Sequence, residues 1–82
     1  MTYRLVPLPI VEKYVPEAAS EGVSEIARGP GGFLEAYRKY GRRLPEEWKK
    51  KRDAFIARSF AAYKMQPTNR RKLSLIMWAF MP

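Results

Sequence analysis

Residues 45–65, PEEWKKKRDAFIARSFAAYKM, lie in the longest stretch of this chain that no glycine or internal proline interrupts. A helix of this length extends about 30 Å, because an α-helix rises about 1.5 Å per residue. Pro45 suits its first position, and Glu46 and Glu47 suit its first turn, where the helix dipole favours carboxylates. We therefore expect this helix to be the scaffold on which the shorter elements pack.

One face of this predicted helix is apolar. The residues within an arc of about 120° are Trp48, Phe55, Ile56, Ser59, Ala62 and Tyr63, with Phe60 at its edge. This arc predicts a surface that faces the core. Arg52 falls inside the arc, so we expect its long side chain to carry the guanidinium outward to water. Ala54, Ala57 and Ala61 lie on the other side, which is smooth enough for a second helix or another chain to approach.

Shorter helices are predicted on both sides of the scaffold. Pro16 suits a first helical position, Gly29 can take the left-handed cap, Gly41 closes a second helix, and Thr68 can cap the N-terminus of the last. The predicted helices span residues 17–28, 32–40, 45–65 and 68–80. The predicted fold class is therefore all-α, a small bundle of three to four helices in a single domain of residues 17–82.

Residues 1–16 differ from the rest because they contain Pro7, Pro9 and Pro16. Each proline biases the residue before it toward extended geometry, so the stretch predicts an extended N-terminal arm and not a helix. An apolar arm of this kind lies in a groove of its own domain or of a neighbouring chain. The sequence leaves both arrangements open.

The last predicted helix is apolar almost all round. Leu73, Ile76 and Met77 form one stripe with Phe80, while Leu75 and Trp78 point in other directions. A helix of this kind needs cover on every side, either as the central helix of a compact monomer or as an interface. In the interface arrangement, the residues predicted to contact the partner are Leu5, Val6, Leu8, Ile10, Leu75 and Trp78.

Composition excludes several classes of function. The chain of 82 residues has neither cysteine nor histidine, which removes disulfides, thiolate nucleophiles, imidazole bases and nearly every structural zinc site. The run GPGG lacks the ending of a phosphate-binding loop, and Glu46 and Glu47 point in different directions on a helix. We therefore expect no enzymatic activity, no metal and no cofactor.

The N-terminal residues lack the cationic opening and cleavage site of a signal peptide. The longest apolar run, residues 73–81, is too short to span a bilayer. We therefore expect a protein of the cytoplasm, or of an assembly formed there, without a membrane partner.

The net charge of +8 lies entirely in the second half of the chain. Residues 1–41 hold five basic and five acidic groups, residues 42–53 hold six basic and three acidic groups, and the rest holds five basic groups and no acid. This asymmetry predicts a polyanionic partner. The candidate phosphate-binding residues form three groups, namely Arg42 and Arg43, then Lys49, Lys50 and Lys51, and finally Arg70, Arg71 and Lys72. A solvated surface that keeps a small protein soluble, and contact with an acidic protein, both stay open.

Three stretches, GGFLEAYRKY, WKKKRDAFIARSFAAY and PTNRRKLSLIMWAFMP, together resemble a type of small open reading frame found in tailed-bacteriophage genomes. The resemblance covers residues 31–82 and brings no active site or ligand with it. It implies a virion component, a nucleic-acid binder or an inhibitor of host machinery.

The sequence therefore predicts a non-enzymatic helical module that contacts nucleic-acid phosphates, without sequence specificity. The alternative is a structural or adaptor subunit of a larger assembly, such as a phage virion, or a homo-oligomer, which docks through the apolar arm and the last helix.

Overall fold

The computed structural model describes residues 3–82, and this part of the chain consists of helices and connecting turns without a strand. Four helices have eight residues or more, and one is a single turn. The elements are α1 (Leu8–Ser20), α2 (Glu25–Arg28), α3 (Phe33–Tyr40), α4 (Glu46–Met65) and α5 (Asn69–Met77). The predicted all-α class is confirmed.

The second half of the chain follows the predicted helices closely. Helices α3 and α4 begin one residue later than predicted and end where predicted, and α5 ends at Met77 instead of residue 80. Thr68 caps α5 as expected, since its hydroxyl oxygen accepts a hydrogen bond from the Arg71 amide at 3.2 Å. Glu46 and Glu47 occupy the first turn of α4.

The helix predicted for residues 17–28 is wrong. The chain instead ends α1 at Ser20, turns at Gly22 with a φ of 71°, and begins the one-turn helix α2 at Glu25. Residues other than glycine rarely adopt a positive φ, so Gly22 is the position that separates the two helices. Gly29 is extended, with a φ of −84°, and does not take the predicted left-handed cap.

The extended arm predicted for residues 1–16 is also wrong beyond residue 7, because α1 begins at Leu8 and continues through Pro16. The first two residues of that prediction lie outside the described part. Pro9 stands in the first turn, where its missing N–H has no intrahelical partner to lose. Pro16 costs a hydrogen bond in the helix interior, but Val11 and Ala18 are completely buried on either side of it. Packing therefore overrides the helix-breaking tendency of Pro16.

Helix α5 lies at the centre of the chain, between α1 and α4. Four of its residues are at most 1% exposed, namely Leu73, Leu75, Ile76 and Met77. Residues 3–7 close over the end of this helix, where the Val6 amide donates to the Ala79 carbonyl at 2.8 Å and the Tyr37 hydroxyl donates to the Val6 carbonyl at 2.8 Å. The all-round apolar character of α5 is thus satisfied within one chain.

Candidate functional site: a basic groove

A groove runs between α2, α4 and α5, and we call it the basic groove. It consists of an apolar section of about 390 Å³ and a polar section of about 520 Å³, which share Val23, Ser24 and Ser74. The apolar section is further lined by Ile26, Ala27, Lys51, Ala54, Phe55, Arg58, Met77 and Trp78, and the polar section by Gln66, Thr68, Arg70 and Arg71.

Helix α4 supplies one wall of the apolar section. Its lining residues follow Lys51 by three, four and seven positions, a spacing that places them on one face of the helix. They are Ala54, Phe55 and Arg58. The ring of Phe55 stacks on the indole of Trp78 with 4.8 Å between centroids and 20° between planes. Trp78 is only 5% exposed, whereas Phe55 is partly exposed. The section therefore has an aromatic floor and a cation at each of two positions along its wall.

The start of α5 supplies the cations of the polar section. Arg70 donates from Nη2 to the Gly22 carbonyl at 3.0 Å, and Arg71 donates from Nη1 to the backbone and side-chain oxygens of Gln66 at 2.8 and 2.9 Å. A guanidinium has five N–H donors. These bonds orient both side chains and leave further donors for an anion.

No acidic residue lines either section of the groove in the part of the chain that the structure describes. Four cations therefore share a concave surface, namely Lys51, Arg58, Arg70 and Arg71. A cleft lined by one sign of charge between low-dielectric walls focuses the potential and raises the local concentration of counter-ions. The groove can therefore attract anions.

Three of the eight predicted phosphate-binding residues line this groove: Lys51, Arg70 and Arg71. Lys49 faces away from the groove, because it precedes Lys51 by two residues and two residues of a helix are about 160° apart around its axis. The Nζ of Lys49 lies 3.4 Å from a Glu46 carboxylate oxygen. Lys50 is exposed and Lys72 is partly exposed, but neither belongs to the groove lining.

Arg42 and Arg43 are exposed in the turn that precedes α4. Helix α4 has 20 residues and extends about 30 Å, so these two arginines lie at the opposite end of α4 from the start of α5. The three predicted groups do not converge on one site.

Arg52 departs from its prediction. Its side chain is completely buried and does not reach water. It donates from Nε to the Trp78 carbonyl at 2.6 Å, from Nη1 to the Tyr3 carbonyl at 2.7 Å, and from Nη2 to the carbonyls of Arg4 and Ala79 at 3.0 and 2.9 Å. Burial lowers the pKa of Arg52, and the nearby charge of Asp53 acts in the opposite direction. Arg52 therefore holds the fold together and takes no part in the groove.

The predicted partner interface is wrong for three of its residues, because Leu5, Leu75 and Trp78 are at most 5% exposed within the single chain. Val6 and Leu8 are partly buried and pack against the core. Only Ile10, at 40% exposure, offers substantial apolar surface. The apolar excess that suggested a partner is mostly used in the chain's own core.

Among the groove residues that sequence reasoning missed are Arg58 and Ile26. Arg58 stands seven residues after Lys51 on the same helix face, and this spacing was a signal for it. Ile26 is 72% exposed on α2, a helix whose position the sequence did not predict. The groove itself therefore could not be recognised.

Among residues 3–82, no group of three or more acidic, histidine or cysteine side chains is arranged to hold a metal ion. No helix in this described part is long and apolar enough to cross a membrane. In comparisons with known proteins, no family model, no curated protein and no solved structure matches the chain.

Proposed function

We propose that this chain is a non-enzymatic module that binds nucleic-acid phosphates through the basic groove, without sequence specificity. The observation that carries the proposal is the set of four cations, Lys51, Arg58, Arg70 and Arg71, on one concave surface with no acid in its described lining. Arginine and lysine bind phosphate oxygens through charge-assisted hydrogen bonds. Contacts to the phosphate backbone fix position and carry no sequence information.

The net charge of +8 supports the same function at longer range. A positive protein attracts a polyanion before contact and speeds association, and this effect weakens as salt screens the charges. Arg42, Arg43 and Lys50 are exposed and can add to this attraction from outside the groove.

The test is a titration of a labelled single-stranded oligonucleotide at several salt concentrations. Each phosphate contact to a single strand contributes about −0.7 to the slope of log affinity against log salt, so four contacts predict a slope of about −3. The double variant Lys51→Gln, Arg58→Gln removes two contacts and should reduce the slope to about −1.5. Fluorescence anisotropy measures both slopes.

The matched control is Arg42→Gln, Arg43→Gln, which removes the same charge from the turn before α4, outside the groove. It should reduce the slope by less than the groove variant does, because these two arginines attract the strand from outside the groove. If the two double variants reduce the salt slope equally, the attraction comes from the overall charge and not from the groove. No binding even at low salt would refute the function.

A second candidate function, a subunit of a larger protein assembly, is supported by the outer half of α4. Between Ile56 and the end of that helix no described residue is fully buried, and Met65 is 89% exposed. The exposed alanines Ala57 and Ala61 would allow another copy of the helix to approach.

Sedimentation velocity over a range of concentrations tests this second candidate. The expected result is association of the unaltered chain and a monomer for Ala61→Glu, whose exposed carboxylate would be buried in the contact. A monomer at every concentration for the unaltered chain contradicts self-association.

A further inference from the structure

The apolar section of the basic groove has a composition that phosphate binding alone does not require. Its lining combines the partly exposed ring of Phe55, the largely buried Trp78, and Ile26, which is 72% exposed. Phosphate groups are hydrated and gain nothing from such surfaces. The volume of about 390 Å³ falls in the range of pockets that take small organic groups. The occupant should therefore carry an apolar or aromatic part beside its negative charge.

The two cations of this section lie on either side of the apolar surface. Lys51 and Arg58 are seven residues apart on α4, a separation of about 10 Å along the helix axis, and Ala54 and Phe55 lie between them. A ligand that fits this arrangement has an apolar group in the middle, with one negative charge on each side to meet Lys51 and Arg58. A nucleotide within a strand has this arrangement, since each base is flanked by two backbone phosphates.

Bases of a duplex are paired and stacked, and their faces are not available to a protein side chain without being extruded. Bases of a single strand are available, and they stack on aromatic side chains of any accommodating groove. Ser24 and Ser74, where the two sections meet, carry hydroxyls that can donate to or accept from the edge of a base. Arg70 and Arg71 in the polar section then lie where the strand would continue.

We propose that the apolar section accepts an unpaired nucleobase of a single-stranded nucleic acid, with Lys51 and Arg58 on the phosphates that flank it. This inference rests on the proposed function, because it takes the cations of the groove as phosphate ligands. It adds that the strand is single and that Phe55 and Ile26 contact a base.

The experiment compares three labelled probes of equal length with the full chain at one salt concentration. They are oligo(dT), a backbone of the same charge in which every base is absent, and a duplex. Stacking of one base is worth about tenfold in affinity, so oligo(dT) should bind about tenfold more tightly than the abasic strand. The duplex binds through its phosphates alone, because its bases are paired and stacked, so its affinity should not change in a variant that loses only base contact.

Two variants separate base contact from phosphate contact. Phe55→Leu keeps apolar packing against Trp78 and should reduce oligo(dT) affinity about tenfold while leaving abasic affinity unchanged. Ile26→Ser alters an exposed side chain and should act in the same direction without loss of folding, which circular dichroism checks. Arg58→Gln should weaken both probes.

Equal affinities for oligo(dT) and the abasic strand, together with a loss for Arg58→Gln, would leave the proposed function standing and overturn this inference. No binding of either strand would overturn both. An acidic peptide of alternating glutamate and leucine that binds more tightly than oligo(dT), and loses that affinity in Phe55→Leu, would assign the apolar section to a protein partner and overturn the base assignment.

Discussion

Arg52→Met should lower the free energy of unfolding by about 3–5 kcal/mol, because it leaves several backbone carbonyls without a donor, at about 1–3 kcal/mol for each one that is buried. The variant removes four hydrogen bonds to the backbone carbonyls of Tyr3, Arg4, Trp78 and Ala79. Domains are stabilised by about 0.05–0.15 kcal/mol per residue, hence by roughly 4–12 kcal/mol at this size. The loss would be a large part of the total.

The effect is large because Arg52 joins two ends of the chain. Trp78 follows the last residue of α5, and carbonyls at the C-terminus of a helix have no intrahelical partner. Cations also interact favourably with this end of the helix dipole. The Ala79 carbonyl keeps the Val6 amide as a donor after the substitution, but the Trp78 carbonyl loses the bond of 2.6 Å from Arg52. A buried acceptor left unpaired costs about 1–3 kcal/mol.

Urea unfolding followed by circular dichroism measures the change, and Lys50→Met is the matched control on the exposed side of α4. Lys50→Met should alter stability by less than about 0.5 kcal/mol, as surface substitutions usually do. Arg52→Lys keeps the charge but loses the planar fork that reaches several carbonyls, so it should fall between the two. A loss below 1 kcal/mol for Arg52→Met would contradict the structural role.

The contrast between the two arginines on α4 shows where sequence reasoning reaches its limit. The helical period correctly places Arg52 on the core face, whereas the structure adds Arg58 to the groove. The period does not report what the buried guanidinium meets, because its partners are backbone carbonyls from both ends of the chain. Such partners leave no mark in the side-chain pattern.

The first half of the chain was harder to predict than the second for a related reason. Helices α3, α4 and α5 are bounded by local signals, such as Gly41 and Thr68, that act within a few residues. Helix α1 contains Pro16, whose local preference is against a helix, and it forms because Val11 and Ala18 are buried against distant residues. The basic groove is lined by α2 and by Val23 and Ser24 before it, and the sequence did not predict their positions. The positive charge could therefore be predicted, but the concave surface that carries it could not.

Trp78→Ala should also lower the free energy of unfolding by about 3–5 kcal/mol, the usual cost of deleting a large buried aromatic side chain. The indole stacks on Phe33 with centroids 5.2 Å apart and on Phe55 with centroids 4.8 Å apart. Each aromatic pair contributes about 0.5–1.5 kcal/mol beyond the area that it buries. A role of Trp78 in a partner interface predicts the opposite, an isolated chain of nearly unchanged stability.

Urea unfolding of the isolated chain distinguishes the two roles, and Trp78→Phe, which keeps a ring between Phe33 and Phe55, should cost less than Trp78→Ala.

The structure also predicts that Trp78→Ala and Arg52→Met are not additive. The Arg52 side chain donates to the backbone carbonyl of residue 78, so loss of the indole should displace an acceptor that Arg52 uses. Residues in contact commonly couple by about 0.5–3 kcal/mol, and the double variant should therefore be less destabilised than the sum of the single variants. Strict additivity would mean that the aromatic stack and the Arg52 hydrogen bonds stabilise the end of α5 independently.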